Sequence, residues 1–208
     1  MEEVLDLYAE PHDPKRPVVC FDESPQQLIA EVQTPLPAAP GQVERFDYEY
    51  KRNGTRNLFL HFEPGRGWRH IAVIEHRTMQ DFAHQMKWLA DDVHPAADLI
   101  RVVLDNLNTH RPAALYETFE PAEARRILKR LEFHYTPKHG SWLNMAEMEF
   151  SVFDRQCLDR RIGEEAMLVR EVAALEEERN AAQATVNWRF TSQDARSKLH
   201  RLYPSISS

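Results

Sequence analysis

Two short apolar runs, each closed by an aspartate, constrain the fold of this 208-residue chain more than any other feature. Pro17-Val-Val-Cys-Phe-Asp22 and Leu99-Ile-Arg-Val-Val-Leu104-Asp105 are short and rich in β-formers, so both read as buried strands. Between them the pattern changes twice. Thr55 to Phe62 and Trp68 to His76 are β-prone and separated by Pro64-Gly65-Arg66-Gly67, which predicts a hairpin or meander. Asp47 to Tyr50 reads as a short strand, and Asn53-Gly54 reads as a hairpin turn. From Thr78 to Asp92 the apolar residues Phe82, Met86 and Leu89 recur at helical spacing, with Thr78 and Asp81 placed for a capping box.

The remainder alternates in the same way. Residues 1–16 read as a short helix or arm ending in a linker from Pro11 to Pro17, and the prolines at 35, 37 and 40 make residues 33–42 a loop. Residues 112–119 and 121–130 suggest short helices, and 131–136 another strand. Ser141 is placed to cap a helix reaching Leu158, with Leu143, Ala146, Phe150, Phe153 and Cys157 as its apolar stripe. A long helix is expected over 164–188, lined by Leu168, Val172 and Leu175. A final one opens at Thr191 and Asp194. Strands interleaved with helices indicate a layered α/β domain with a mixed sheet.

Composition excludes several classes. The chain is 42% hydrophobic and 28% charged, the balance of a soluble globular domain. No apolar run approaches membrane-spanning length, and the acidic start lacks the pattern of a secretory signal. Cys20 and Cys157 form neither a disulfide framework nor a zinc cluster. Both read as small buried hydrophobes in a reducing cytoplasm. The net charge of −7 is unevenly spread. Residues 1–50 hold 11 acidic and 3 basic residues, whereas 51–208 hold 22 and 23. No strongly basic module is present.

Three acids stand out by position: Asp22 and Asp105 at the ends of the two apolar strands, and Glu147 near the start of the helix after the last strand. If those strands are neighbours, the two aspartates emerge side by side, and a helix packed across that edge brings its glutamate to them. Such an oxygen cluster suits Mg²⁺ or Mn²⁺. Acids at strand ends are also ordinary loop starters and helix caps. Helical geometry does not single out Glu147 either. At 100° per residue Glu147 and Glu149 flank the stripe on opposite sides, and Asp154 lies near Glu147.

The segment Thr136-Pro-Lys-His-Gly-Ser-Trp-Leu-Asn-Met-Ala-Glu147 resembles the signature before the third acid in insertion-sequence transposases of the Tc/mariner superfamily. Val103-Leu-Asp-Asn-Leu-Asn-Thr-His110 resembles the family's second block, and Val18-Val-Cys-Phe-Asp-Glu23 its first. Tyr48 to Thr55 and Arg155 to Arg161 also look like that group, so the resemblance runs from about residue 5 onward.

The resemblance implies an RNase H-like mixed β-sheet flanked by α-helices, with a C-terminal helical extension. Its expected divisions are an arm or linker over 1–16, a catalytic domain over 17–162, and the extension over 163–208 packed on it. It further implies a DDE endonuclease domain that cleaves DNA and transfers strands at transposon ends. Asp22, Asp105 and Glu147 would hold two Mg²⁺ ions, for which Mn²⁺ can substitute. Asn106 and His110 would support the site, and Glu23 and Glu149 would be bystanders. The expected partners are double-stranded DNA at transposon ends and target, and a homodimer is compatible. The expected setting is the bacterial cytoplasm, on the nucleoid when acting. Members of the group carry helix-turn-helix domains ahead of the catalytic domain. Only about 16 residues precede the first strand here, so that region is expected to be missing. A fragment serving only as a DNA-binding or assembly module is the alternative, and an RNase H-like nuclease on another substrate a third reading.

Lys51, Arg52, Lys138 and His139 are the candidate phosphate contacts, the last two because their loop precedes the glutamate helix. The basic cluster Arg125, Arg126, Lys129 and Arg130 reads as solvated surface, Trp142 as loop packing, and the helix over 164–188 as packed on the sheet.

Overall fold

The computed structural model describes residues 1–203 except Pro35, Glu44, Phe46 and His139. Helix α1 (Glu2–Ala9) leads into β1 (Val18–Glu31), β2 (Tyr50–Glu63) and β3 (Trp68–Ile74). Then come α2 (Met79–Trp88), β4 (Ile100–Leu104), α3 (Ala113–Thr118), α4 (Pro121–Leu128), β5 (Leu131–Tyr135) and α5 (Met145–Phe153). Helices α6 (Glu165–Ala181) and α7 (Ser192–Lys198) follow.

The strands form one sheet in the order β3-β2-β1-β4-β5. The β1–β2 and β2–β3 pairs are antiparallel, and the β1–β4 and β4–β5 pairs are parallel. This is the expected mixed, helix-flanked, RNase H-like layout. Side chains alternate across it, as strand geometry demands. Cys20, Leu58, Leu60 and Val103 face a core shared with α1, α5 and α6. Val19, Phe21, Phe59, Val102 and Leu104 face the second core, with α2, α3 and α4. β1 and β4 are therefore buried on both sides, which explains their unbroken apolar runs.

Several local expectations are met for local reasons. Both capping boxes form, Thr78 with Asp81 and Thr191 with Asp194, and each satisfies two backbone donors that the first helical turn leaves orphaned. The stripes of α5 and α6 are buried as their spacing requires. Both cysteines are free and buried.

Four expectations are corrected. Asp22 does not end β1, because the antiparallel pairing with β2 continues to the Glu31–Tyr50 pair. What stops near Asp22 is the parallel ladder to β4, whose last pair is Cys20–Val103. Beyond it β1 has a single strand partner, which is why Pro25, with no N–H to give, is tolerated within it. Asn53-Gly54 is not a turn. The register slips between Gln27 and Ile29, opposite Arg52 to Thr55, and Gly54 takes φ +99° there, so the glycine serves a bulge within β2.

Ser141 does not cap α5. It opens a 3-10 turn over Ser141–Leu143, and Asn144 is the cap, accepting from the Ala146 N–H. The helix then loosens into a π-helical turn over Asp154–Leu158. The long helix stops at Ala181 rather than reaching Trp188. Gln183 adopts φ 45°, and the Ala184 N–H bonds the Arg179 carbonyl, closing the helix as a glycine usually would.

That closure packs on the β2–β3 turn. Gly67 has φ +69°, and a Cβ there would lie 2.6 Å from the Gln183 backbone. Backbone cannot yield as a side-chain tip can. Gly67→Ala is therefore expected to cost at least about 2 kcal/mol, from left-handed strain plus the clash. That is a fall in melting temperature of roughly 4–8 °C. Thermal unfolding followed by circular dichroism checks it, and an unchanged midpoint contradicts the close approach.

Candidate active site

The alternation that builds the sheet also gathers the acids. Asp22 lies two residues after Cys20 and Asp105 two after Val103, and Cys20 and Val103 are paired neighbours. Both aspartates therefore continue the face on which α5 packs. Glu147 sits in the first turn of α5. The sheet and one helix thus bring Asp22, Asp105 and Glu147 to a common edge.

Electrostatics report their proximity. The Asp22 carboxyl is pushed up to about 7, first by burial and then by the charges of Glu147 and Asp105; its bond from the Glu23 N–H and the charge of His110 work against the rise. Glu147 is raised by burial and by Asp105, and a hydrogen bond from Ser141 opposes this. Among the described residues, no three His, Cys, Asp or Glu side chains already stand as a ready metal-ligand group. The fit to a divalent cation rests on donor chemistry. The charges of Glu147 and Asp105 raise the proton affinity of Asp22, that of Asp105 raises the proton affinity of Glu147, and a field of hard oxygen donors favours any cation placed among them.

His110 supports this edge from behind. Its Nδ1 lies 2.6 Å from Asp105 Oδ1, and its Nε2 lies 3.4 Å from Glu23 Oε2. Burial alone would depress its pKa, but the hydrogen bond to Asp105 and the adjacent Glu23 carboxylate prevail and raise it to about 9. The ring meets Phe21 edge-on and lies tilted against Phe82, and Tyr135 donates to the His110 carbonyl. Glu23, set aside in the sequence reading, thus belongs to a chain running from Arg77 through Glu23 and His110 to Asp105. The alternation places Glu23 on the face opposite Asp22, and only the fold shows that His110 waits there. Asn106 is exposed beside Asp105.

Glu149 stands elsewhere. It is buried, with Oε1 2.9 Å from Arg69 Nε and 2.6 Å from Arg179 Nε, while Arg179 Nη2 reaches Oε2 at 2.7 Å. The two sides of α5 have separate uses: Glu147 faces the acids and Glu149 a pair of arginines.

The candidate phosphate contacts divide. Lys138 is exposed in the loop leading to the Ser141 turn. His139 lies outside the described residues. Lys51 and Arg52 are exposed on β2 opposite Ala30 and Ile29. Lys51 is therefore eight residues along the ribbon from the Asp22 level, roughly 25 Å at the usual strand rise. Arg52 lies against the Tyr50 ring. In the other basic cluster, Arg126 pairs with Asp91 and Glu123, and Arg130 donates to the Ala90, His94 and Ala97 carbonyls. Trp142 stacks on Trp188, as packing predicts.

A profile of the DDE superfamily endonucleases matches residues 17–168, the span that carries all three acids. The chain belongs to this family. Curated proteins offer no match. Among solved structures, this endonuclease domain is similar to the Mos1 mariner paired-end complex with Mn, with a TM-score of 0.53 and 14% identity over 90% of this chain and 61% of that one. It is also similar to the Mos1 transposase paired-end complex with left transposon end, at 0.55 and 13% over 88% and 60%. The Mos1 strand transfer complex gives 0.51 and 12% over 84% and 56%. At these identities the likeness is one of fold. The chain spans about three fifths of the length of these structures. No described helix is long and apolar enough to cross a membrane.

The raised pKa of Asp22 has a consequence for stability. A carboxyl whose folded pKa exceeds its unfolded value favours folding while protonated, and that advantage is lost as pH rises from about 4 through about 7. Asp22→Asn removes the charge and keeps an acceptor for the Glu23 N–H. Without divalent metal, Asp22→Asn is expected to melt several degrees above the wild type at pH 8, with the gap closing towards pH 4. Thermal melts in a chelator across that range decide it; equal midpoints at pH 8 contradict the account of the edge.

Proposed function

We propose that this chain is the catalytic domain of a Tc/mariner-type transposase, which cleaves DNA at transposon ends and joins the freed 3′ ends to a target. The observation that carries the reading is the convergence of Asp22, Asp105 and Glu147 on one edge, within the span that the family profile matches. Residues 17–162 form the catalytic part in this reading, with 163–208 as its C-terminal extension. The setting is the bacterial cytoplasm, on nucleoid DNA when acting.

Asp22, Asp105 and Glu147 would hold two Mg²⁺ ions, with Mn²⁺ as substitute. When bound, such ions supply an activated water and neutralise charge on the phosphate oxygens. The chain's own residues prepare the place. Asp22 is fixed in a strand. Asp105 is oriented by His110, whose other nitrogen faces Glu23. Glu147 is carried on the first turn of α5, and Ser141 bonds its carboxyl. Asn106, exposed beside Asp105, is free to meet the backbone of the bound strand. Lys138 and His139 would contact phosphates next to the cut. Lys51 and Arg52 would contact the duplex farther out, about seven or eight nucleotides away at 3.4 Å per step. Sequence-specific end recognition and pairing of two ends would draw on a helix-turn-helix region and a second protomer.

Cleavage of a transposon-end duplex in Mg²⁺ and in Mn²⁺, with a scrambled duplex beside it, tests the reading. Glu147→Gln is expected to lower cleavage by orders of magnitude while leaving the melting temperature near that of the wild type. Glu149→Gln is expected to do the opposite, losing several kcal/mol of stability by leaving Arg69 and Arg179 around a neutral amide, with cleavage retained by the folded fraction. Reversed effects would move the third acid to Glu149. Metal-independent cleavage would overturn the mechanism.

Charge sets the affinity. Residues 51–208 are close to neutral, so DNA binding by this chain alone is expected to be weak and to fall steeply with salt. A titration of duplex from 50 to 200 mM salt measures it. Tight, sequence-specific binding at the upper end would place a recognition element within these residues.

A further inference from the structure

Glu147 reaches the acidic edge only if the start of α5 is held at a fixed height over β1, and two hydrogen bonds hold it there. Asn144, 1% exposed, uses both ends of its side chain. Its Nδ2 donates to the Phe21 carbonyl at 2.9 Å, the residue before Asp22, and its Oδ1 accepts from the Ala146 N–H at 3.2 Å. The Asn144 carbonyl in turn accepts from the Glu147 N–H at 3.1 Å. One peptide earlier, Tyr8 of α1 donates its hydroxyl to the Leu143 carbonyl at 2.7 Å, and the same oxygen lies 3.3 Å from Cys20 Sγ. β1 and the turn before α5 are thus linked twice, once directly at the Phe21 carbonyl and once through Tyr8 of α1, which meets the Cys20 sulfur.

An N-cap alone would need only an acceptor, and serine or aspartate would serve equally. The donor half of Asn144 does something a cap does not, since it ties the helix to the strand bearing Asp22. A buried donor aimed at a backbone carbonyl is costly to leave unmet, so the bond restrains the helix against sliding along the strand. We propose that Asn144 and Tyr8 are positioning residues for Glu147, setting its carboxylate relative to Asp22 so that the two can share a divalent cation. This rests on the metal-binding reading above. Neither residue touches the reacting groups.

The probe is Mn²⁺ alone, titrated calorimetrically into the full chain. Asn144→Ser keeps the cap and deletes the tether to Phe21. Tyr8→Phe keeps the ring against Trp188 and deletes only the hydroxyl. Loss of groups that orient a metal ligand typically weakens affinity about 10–100-fold, and Asn144→Ser is expected in that range, with Tyr8→Phe weakened less. Circular dichroism should show unchanged helix content in both. A purely structural role would lower the melting temperature and leave Mn²⁺ affinity in the folded protein alone, which would overturn the proposal. Should Asn144→Ser fail to fold, Tyr8→Phe decides it: wild-type affinity overturns, weakened affinity supports. If the wild type and Asp22→Asn both bind no Mn²⁺, the metal reading falls and takes this inference with it. Mn²⁺ binding that Asp22→Asn abolishes and Asn144→Ser leaves intact overturns this inference alone.

Discussion

A buried carboxylate held by two arginines is the interaction on which the architecture depends. Arg69 is fully buried on the edge strand β3, and Glu149 is nearly so on α5. Taking such charges from water costs several kcal/mol each, and attraction alone does not recover it. The remaining donors of Arg69 meet the Gly67 and Ala184 carbonyls and the Asn180 side chain, and Arg179 approaches Glu149 from the far side. The cluster contributes less to net stability than to uniqueness. It admits one rotation of α5 about its axis and one docking of α6 on β3. With Glu149 turned inward to the arginines, Glu147, two residues earlier, is turned towards the acids.

The same division explains what could be read from the sequence. Features fixed by neighbours along the chain were legible. The capping boxes at Thr78 and Thr191, the hairpin at Pro64 to Gly67 and the apolar stripes of α5 and α6 each follow from residues within one or two turns of one another. The parallel pairing of the two apolar strands was legible by a longer route, because both carry an aspartate that only a shared edge would bring together.

Features fixed across the fold were not legible. Asn53-Gly54 is a good turn dipeptide, and nothing local reveals that β2 continues through it as a bulge. Ser141 and Asn144 are equally good caps by type, and the choice falls to Asn144 because the Phe21 carbonyl lies within its reach. Glu23 looked idle because its partner is His110, 87 residues away. A buried arginine such as Arg69 is hidden in principle. A strand-forming run with one long charged side chain is the pattern of a half-exposed edge, and only α6 makes it an interior.

The passage of β1 straight through Asp22 bears on motion. A residue gripped by an antiparallel partner, in a strand buried on both faces, has little freedom on the microsecond timescale of loops. Asp22 is an anvil. Asp105 begins a loop, and Glu147 rides on a short helix that follows a loop and a single 3-10 turn. The three acids are therefore held with unequal stiffness, Asp22 by a paired strand and the other two by the ends of a strand and a helix. Local opening is therefore expected at the exposed residues 106–108 before it reaches the paired backbone at Asp22.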